Sequence, residues 1–133
     1  MNVAEFLTRS GVSYDTFSHR ETFDAQSLAA TMHISKHEVA KTVLVLTGGG
    51  EHAVAVLPAD RKVDLAKVAE VLGDGSAVIA SEFEISQLFP DCELGAIPPF
   101  GSQYGLKTLT DAALASDEEI TFEGNNHHEA IRM

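Results

Sequence analysis

The chain has 133 residues, a formal net charge of −11, 44% hydrophobic and 22% charged residues, and one cysteine. This length builds one well-packed domain rather than two with long linkers, the composition is that of a folded chain rather than a disordered one, and a lone cysteine excludes an internal disulfide framework. No apolar run reaches signal-peptide or membrane-span length, so the expectation is a single cytoplasmic domain over residues 1–133 with no membrane association.

Asn2, with Glu5 three residues later, predicts a short helix whose apolar side is Val3, Phe6 and Leu7 and which Gly11 ends. Residues 13–19 alternate weakly as a strand, and Asp24 caps a second helix that buries Ala25, Leu28, Ala29 and Met32. Ser35 and Glu38 have capping-box spacing for one brief turn. The run 41–47 is β-branched and almost wholly apolar, which reads as a central strand; Gly48, Gly49, Gly50 and Glu51 then turn it into the apolar run 53–58, giving a hairpin over 41–58.

Val63 and Val68 bracket Asp64 as a hydrophobic staple, and Leu65, Ala69 and Leu72 continue that helix to Gly73. Residues 77–80 form a short strand. Ser81 and Glu84 then cap a helix with Phe83, Ile85 and Leu88 on its apolar side, which Pro90 closes. Segments 106–110 and 119–124 read as strands, 124–126 as a turn, and 127–133 as a last strand pairing back. Hairpins outnumber crossover units, so the predicted fold is α+β: a mixed, mostly antiparallel, curled sheet flanked by helices.

Between the last predicted helix and these strands lies Gly95-Ala96-Ile97-Pro98-Pro99-Phe100-Gly101. Adjacent prolines fix their own φ and hold the preceding residue extended, so the segment is a stiff loop. Its amide donors are Gly95, Ala96, Ile97, Phe100 and Gly101, a row able to stabilise an oxyanion; the alternative is a structural turn with Phe100 plugged into the core. Lys41 opens the most apolar strand, where an ammonium either snorkels to solvent or enters a cleft to meet a phosphate or an ester carbonyl.

Other candidates are weaker. His33 and His37 have i, i+4 spacing, but Ser35 starts a new turn between them and no third ligand is indicated, so no metal is expected. Cys92 has no marked partner and reads as a small packed side chain. The three glycines at 48–50 lead into a strand rather than a helix and do not make a phosphate-cradling loop. Glu118 and Glu119 read as a solvated face.

The order of VAKTVLVL, VLPADRKVDL, GAIPPFG and FEGNNHHEAIRM over nearly the whole chain resembles the YbaK-type, prolyl-tRNA synthetase-associated editing domains. The resemblance implies a small mixed α/β domain, here free-standing, that hydrolyses the ester of mischarged aminoacyl-tRNA without a cofactor. It places the family's critical lysine on Lys41 and its Gly-x-x-x-Pro substrate loop on Gly95, Ala96, Ile97, Pro98 and Pro99. A family histidine falls on His127 or His128. On a strand these two face opposite sides, and His128 is the favoured one, as a pocket-shaping residue. Thr22, Phe23 and Ser27 fall in the segment bordering the amino-acid pocket.

The implied activity is removal in trans of a small amino acid of the alanine, serine, cysteine or threonine class. A synthetase pocket distinguishes one methylene by only ~1–3 kcal/mol, so small substrates slip in and need a second site. Lys41 would act electrostatically while water or a substrate hydroxyl attacks. The implied partner is the tRNA acceptor end, with no DNA. The charge of −11 opposes phosphate binding, so a local cluster from Arg20, Lys36, Lys41, Arg61, Lys62 and Lys107 would serve, with a synthetase delivering the tRNA. The competing reading is a non-catalytic module on the same fold that binds a nucleotide, small molecule or protein. A third is a hydrolase for another activated ester.

Overall fold

The computed structural model describes residues 2–133. Four of the five predicted caps are present at a helix start. Asn2 accepts the Glu5 N–H at α1 (Val3–Arg9), Asp24 accepts the Ser27 N–H at α2 (Ala25–Met32), and Asp64 accepts the Lys67 N–H at α3 (Leu65–Leu72). Ser81 and Glu84 close a reciprocal capping box on α4 (Glu82–Leu88). The Ser35 hydroxyl instead accepts from His37, and the Glu38 N–H goes to the Ser35 carbonyl, so this segment is a turn without a capping box.

The hairpin is β2 (Ala40–Thr47) with β3 (His52–Pro58), antiparallel with Lys41 opposite Leu57. Its turn is pinned from outside, because the Gly49 N–H donates to Asp74 and the Gly48 N–H to the Ser76 carbonyl. With β4 (Ala77–Ile79) and β5 (Lys107–Thr110) the hairpin forms a four-stranded sheet in the order β4-β2-β3-β5, in which β3 and β5 run parallel. A second sheet, β1-β7-β6, joins β1 (Asp15–Ser18), β7 (Glu129–Arg132) and β6 (Thr121–Glu123) antiparallel. The two meet at the Val39–Thr121 bridge, so the mixed α/β architecture stands with its strands divided between two linked sheets.

Both faces of the central hairpin are covered, which is why its sequence is continuously apolar. Leu44 and Val54 pack with Ala80, Phe89 and Ile97; Val45, Ala53 and Ala55 pack on Val68 of α3. One expected packing residue is misplaced: Phe83 is 71% exposed. α4 has two turns and docks through Ile85 and Leu88, and at ~100° per residue position 83 points about 200° away from position 85.

Two further departures lie near the C-terminus. A helix α5 (Ala112–Ala115), capped by Asp111, stands between the two predicted strands. The last strand begins only at Glu129, because Asn125 adopts a left-handed φ of +74° and the Asn126 side chain accepts the His128 and Glu129 N–H groups. Among the described residues no helix is long and apolar enough to cross a membrane.

Candidate active site

The stiff loop is anchored far more deeply than its composition indicates. Ala96, Ile97, Pro98 and Pro99 are buried, and Phe100 packs its ring against Phe6 and Phe122 at 5.6 Å each, as the core-plug alternative has it. Gly95 sits at φ +84°, exposed at the rim. Two of the five expected donors are engaged: Ala96 N–H donates to the Glu93 carbonyl at 3.0 Å and Gly101 N–H to the Thr108 hydroxyl at 2.8 Å. The expectation for Ala96 is therefore corrected, since the turn that reverses the chain at Gly95 consumes its amide. Gly95, Ile97 and Phe100 carry the loop amides without an acceptor among the described residues.

Lys41, half-buried on β2, has no carboxylate partner among the described residues. It lines a hollow of about 240 Å³ with Asp24, Ala25, Gln26 and Ala59. Gln26 closes one wall by donating to the Ala59 carbonyl. That volume is below the ~300–1,000 Å³ of drug-sized ligand sites, so the hollow takes a small group rather than a whole nucleoside.

The loop does not line this hollow. Alternation along β2 puts Lys41 on the side of Val43 and Val45, whereas Leu44, on the other side, packs against Ile97. The connection runs instead through one segment. The Phe23 carbonyl lies 3.5 Å from where a Cβ on Gly95 would stand, and the next residue, Asp24, lines the Lys41 hollow. Consecutive Cα atoms are ~3.8 Å apart, so the two sets of contacts are neighbours across a single peptide.

Behind Gly95 stands His127, 3% exposed. Its Nε2 meets the Leu94 carbonyl, its N–H donates to Glu93, and its carbonyl accepts the Thr22 N–H. Phe23, itself 67% exposed, lays its ring 5.1 Å from the imidazole. Nδ1 faces Glu123 Oε2 at 2.9 Å, off the line of an ideal hydrogen bond. Burial pushes the Glu123 carboxyl up to about 7; Asp24 and Glu93 push the same way, and His127 opposes them.

Between 4.5 and about 7 the folded protein therefore keeps a Glu123 proton that the unfolded chain has lost, and stability falls as pH rises through that window. Urea unfolding at about pH 5 and about pH 8 is expected to show Glu123→Gln flattening this slope, a relative gain of about 2 kcal/mol at the higher pH.

The favoured histidine, His128, is not the one that the fold brings to the loop. His128 is exposed and pairs with Glu21 at 3.1 Å, whereas His127 faces the loop. Strand alternation does not apply to residues in the turn before β7. Ser27 is exposed in the first turn of α2, its N–H on Asp24, and does not line the hollow. Thr22 is 6% exposed, and its hydroxyl, beside this cluster, has no hydrogen-bond partner among the described residues. Pro98 is fully buried and out of a ligand's reach, and Pro99 faces a separate apolar hollow of about 500 Å³ lined also by Val56, Phe100 and Leu114.

Cys92 packs below the loop against Tyr104 and Asn125, and burial pushes its thiol up, away from nucleophilic use. His33 ends α2 in a left-handed conformation while His37 lies beyond it, so they share no helical face. Of the six cations considered for phosphate, Arg61 sits 3.8 Å from Asp111 and Lys107 3.1 Å from Glu51.

Glu123 and Asn125 are the residues sequence reasoning missed. The available signal was a carboxylate four residues before a histidine across a Gly-Asn-Asn turn, inside a strand too short to read as amphipathic.

Comparison with known proteins shows the family and the fold. The model of the aminoacyl-tRNA editing domain family matches residues 19–133. The chain is 28% identical over 120 residues to the multifunctional Ser/Thr-tRNA deacylase ProXp-y of Escherichia coli K12, covering 87% of this chain and 71% of that protein. Among solved structures it resembles a candidate trans-editing enzyme for prolyl tRNA synthetase (TM-score 0.84, 20% identity, 98% of this chain and 83% of that one). It also resembles a solved hypothetical protein (TM-score 0.89, 21% identity, 98% of this chain and 87% of that one). The chain belongs to the aminoacyl-tRNA editing domain family.

Proposed function

We propose that the chain acts as one editing domain that hydrolyses, in trans, the ester of tRNA mischarged with a small amino acid, serine and threonine foremost because the Escherichia coli relative is named for them. The observation that carries this reading is a half-buried lysine without an ion-pair partner among the described residues, in a hollow of about 240 Å³ whose wall residue Asp24 follows the Phe23 that touches Gly95. Lys41 holds a phosphate of the terminal nucleotide or polarises the ester. The Gly95 and Ile97 amides receive the charge that develops on the ester oxygen, and a positioned water or a substrate hydroxyl attacks. Thr22, with its unspent hydroxyl, is the residue we assign to recognising the aminoacyl side chain.

A chain with net charge −11 gathers little phosphate by itself, so weak tRNA affinity and delivery by a synthetase follow. The test is single-turnover deacylation of a panel of aminoacyl-tRNAs. Seryl-, threonyl- and alanyl-esters are expected to be cleaved and bulky aminoacyl-esters spared. An inert panel with binding retained would identify a non-catalytic module instead.

A further inference from the structure

One buried group is not used by that chemistry: the carboxyl of Glu123 against His127. Their protons can be counted from the contacts. A carbonyl oxygen only accepts, so the Nε2 that meets Leu94 carries a hydrogen. Nδ1 and Glu123 Oε2, 2.9 Å apart at 4% and 6% side-chain exposure, are then two acceptors facing each other unless one more proton lies between them. Imidazolium with carboxylate and imidazole with carboxylic acid both meet this requirement.

Remove that proton and the imidazole has one hydrogen for two acceptors. An anionic oxygen outcompetes a neutral carbonyl, so the hydrogen goes to Glu123 and a bare Nε2 is left facing the Leu94 carbonyl. Leu94 is the residue immediately before Gly95.

We propose that Glu123 and His127 form a proton-linked latch that positions the Gly95 amide: with the shared proton His127 holds the Leu94 carbonyl, and without it that hold is released. This rests on the deacylase reading for its functional consequence, though not for the latch itself. His127 and Glu123 are positioning residues, since neither borders the Lys41 hollow. The charged groups around the pair all bear on its titration. Glu93 accepts the backbone N–H of His127, and Asp24 at the start of α2 adds a second carboxylate field, so two anions besides Glu123 favour keeping the proton. Burial pushes the Glu123 carboxyl up to about 7, which puts release of the shared proton near neutral pH.

The decisive variant is Glu123→Gln, whose amide N–H donates to Nδ1 while Nε2–H stays on Leu94, closing the latch without the extra proton. Wild-type single-turnover rates, corrected for spontaneous ester hydrolysis, are expected to fall about tenfold or more from about pH 6 to about pH 9, and Glu123→Gln to lose that alkaline limb. An unchanged limb in the variant overturns the latch.

A second measurement needs no turnover. In wild-type protein the Leu94 and Gly95 amide resonances are expected to titrate with the Glu123 carboxyl carbon resonance at one midpoint. Amides that stay fixed while the Glu123 carboxyl titrates overturn the latch. If they move together in a protein that deacylates nothing, the latch stands and the assigned activity falls.

Discussion

Lys41→Ala is expected to lower kcat/KM for deacylation by about 10²–10³-fold while leaving the unfolding midpoint within error of the parent. The second half of this expectation is as informative as the first. Lys41 makes no ion pair among the described residues, so its removal strands no buried anion and breaks no network. A structural lysine, in contrast, costs stability when removed. Lys41→Arg keeps the charge but brings a wider, planar head into about 240 Å³, and is expected to recover only part of the rate. Rates with a seryl-ester and urea unfolding curves on the same preparations separate the cases. Full activity in Lys41→Ala would remove the lysine from the mechanism.

Gly101→Ala is expected to be the most disruptive single-methyl change in the loop, destabilising by about 3 kcal/mol or more and shifting the whole unfolding transition. A Cβ at position 101 would lie 2.6 Å from Thr108 Oγ1, 2.8 Å from the Leu106 carbonyl oxygen and 2.9 Å from Val54 Cγ2. Two of these belong to backbone or core and cannot swing aside, and Thr108 is also the acceptor for the Gly101 N–H. The glycine at the loop's other end is there for a different reason. Gly95 has φ +84°, but a Cβ on it meets its nearest neighbours at 3.4 and 3.5 Å, so Gly95→Ala carries backbone strain of ~1–2 kcal/mol without a collision. Equal losses for the two variants in urea titrations would contradict this division.

Local signals were readable in the chain and long-range ones were not. Asn2, Asp24, Asp64 and Ser81 each bind an amide three residues on, a relation contained in a handful of consecutive residues. The hairpin over 41–58 needed only two apolar runs and three glycines. The parallel pairing of β3 with β5, which brings Ala53 beside Lys107, depends on contacts far apart in the chain that no local pattern encodes.

The site divides along the same line. Lys41 and the proline loop stood out by residue type, but the segment that links them, Phe23 to Asp24, is visible only once Gly95 is placed against it. His127 rather than His128 faces the loop because Asn125 and Asn126 delay the strand by two residues, so strand alternation does not govern this pair.

The claim on which the account depends is that one ligand engages both Lys41 and the loop amides although they do not line a common hollow. The direct test is titration with a non-hydrolysable amide analogue of seryl-adenosine, followed by backbone amide and lysine side-chain NMR. Lys41, residues 23–26 and the Gly95 and Ile97 amides are expected to shift together with one affinity. Shifts at Lys41 with Gly95 and Ile97 unmoved, or shifts confined to the apolar hollow around Val56 and Phe100, would contradict it.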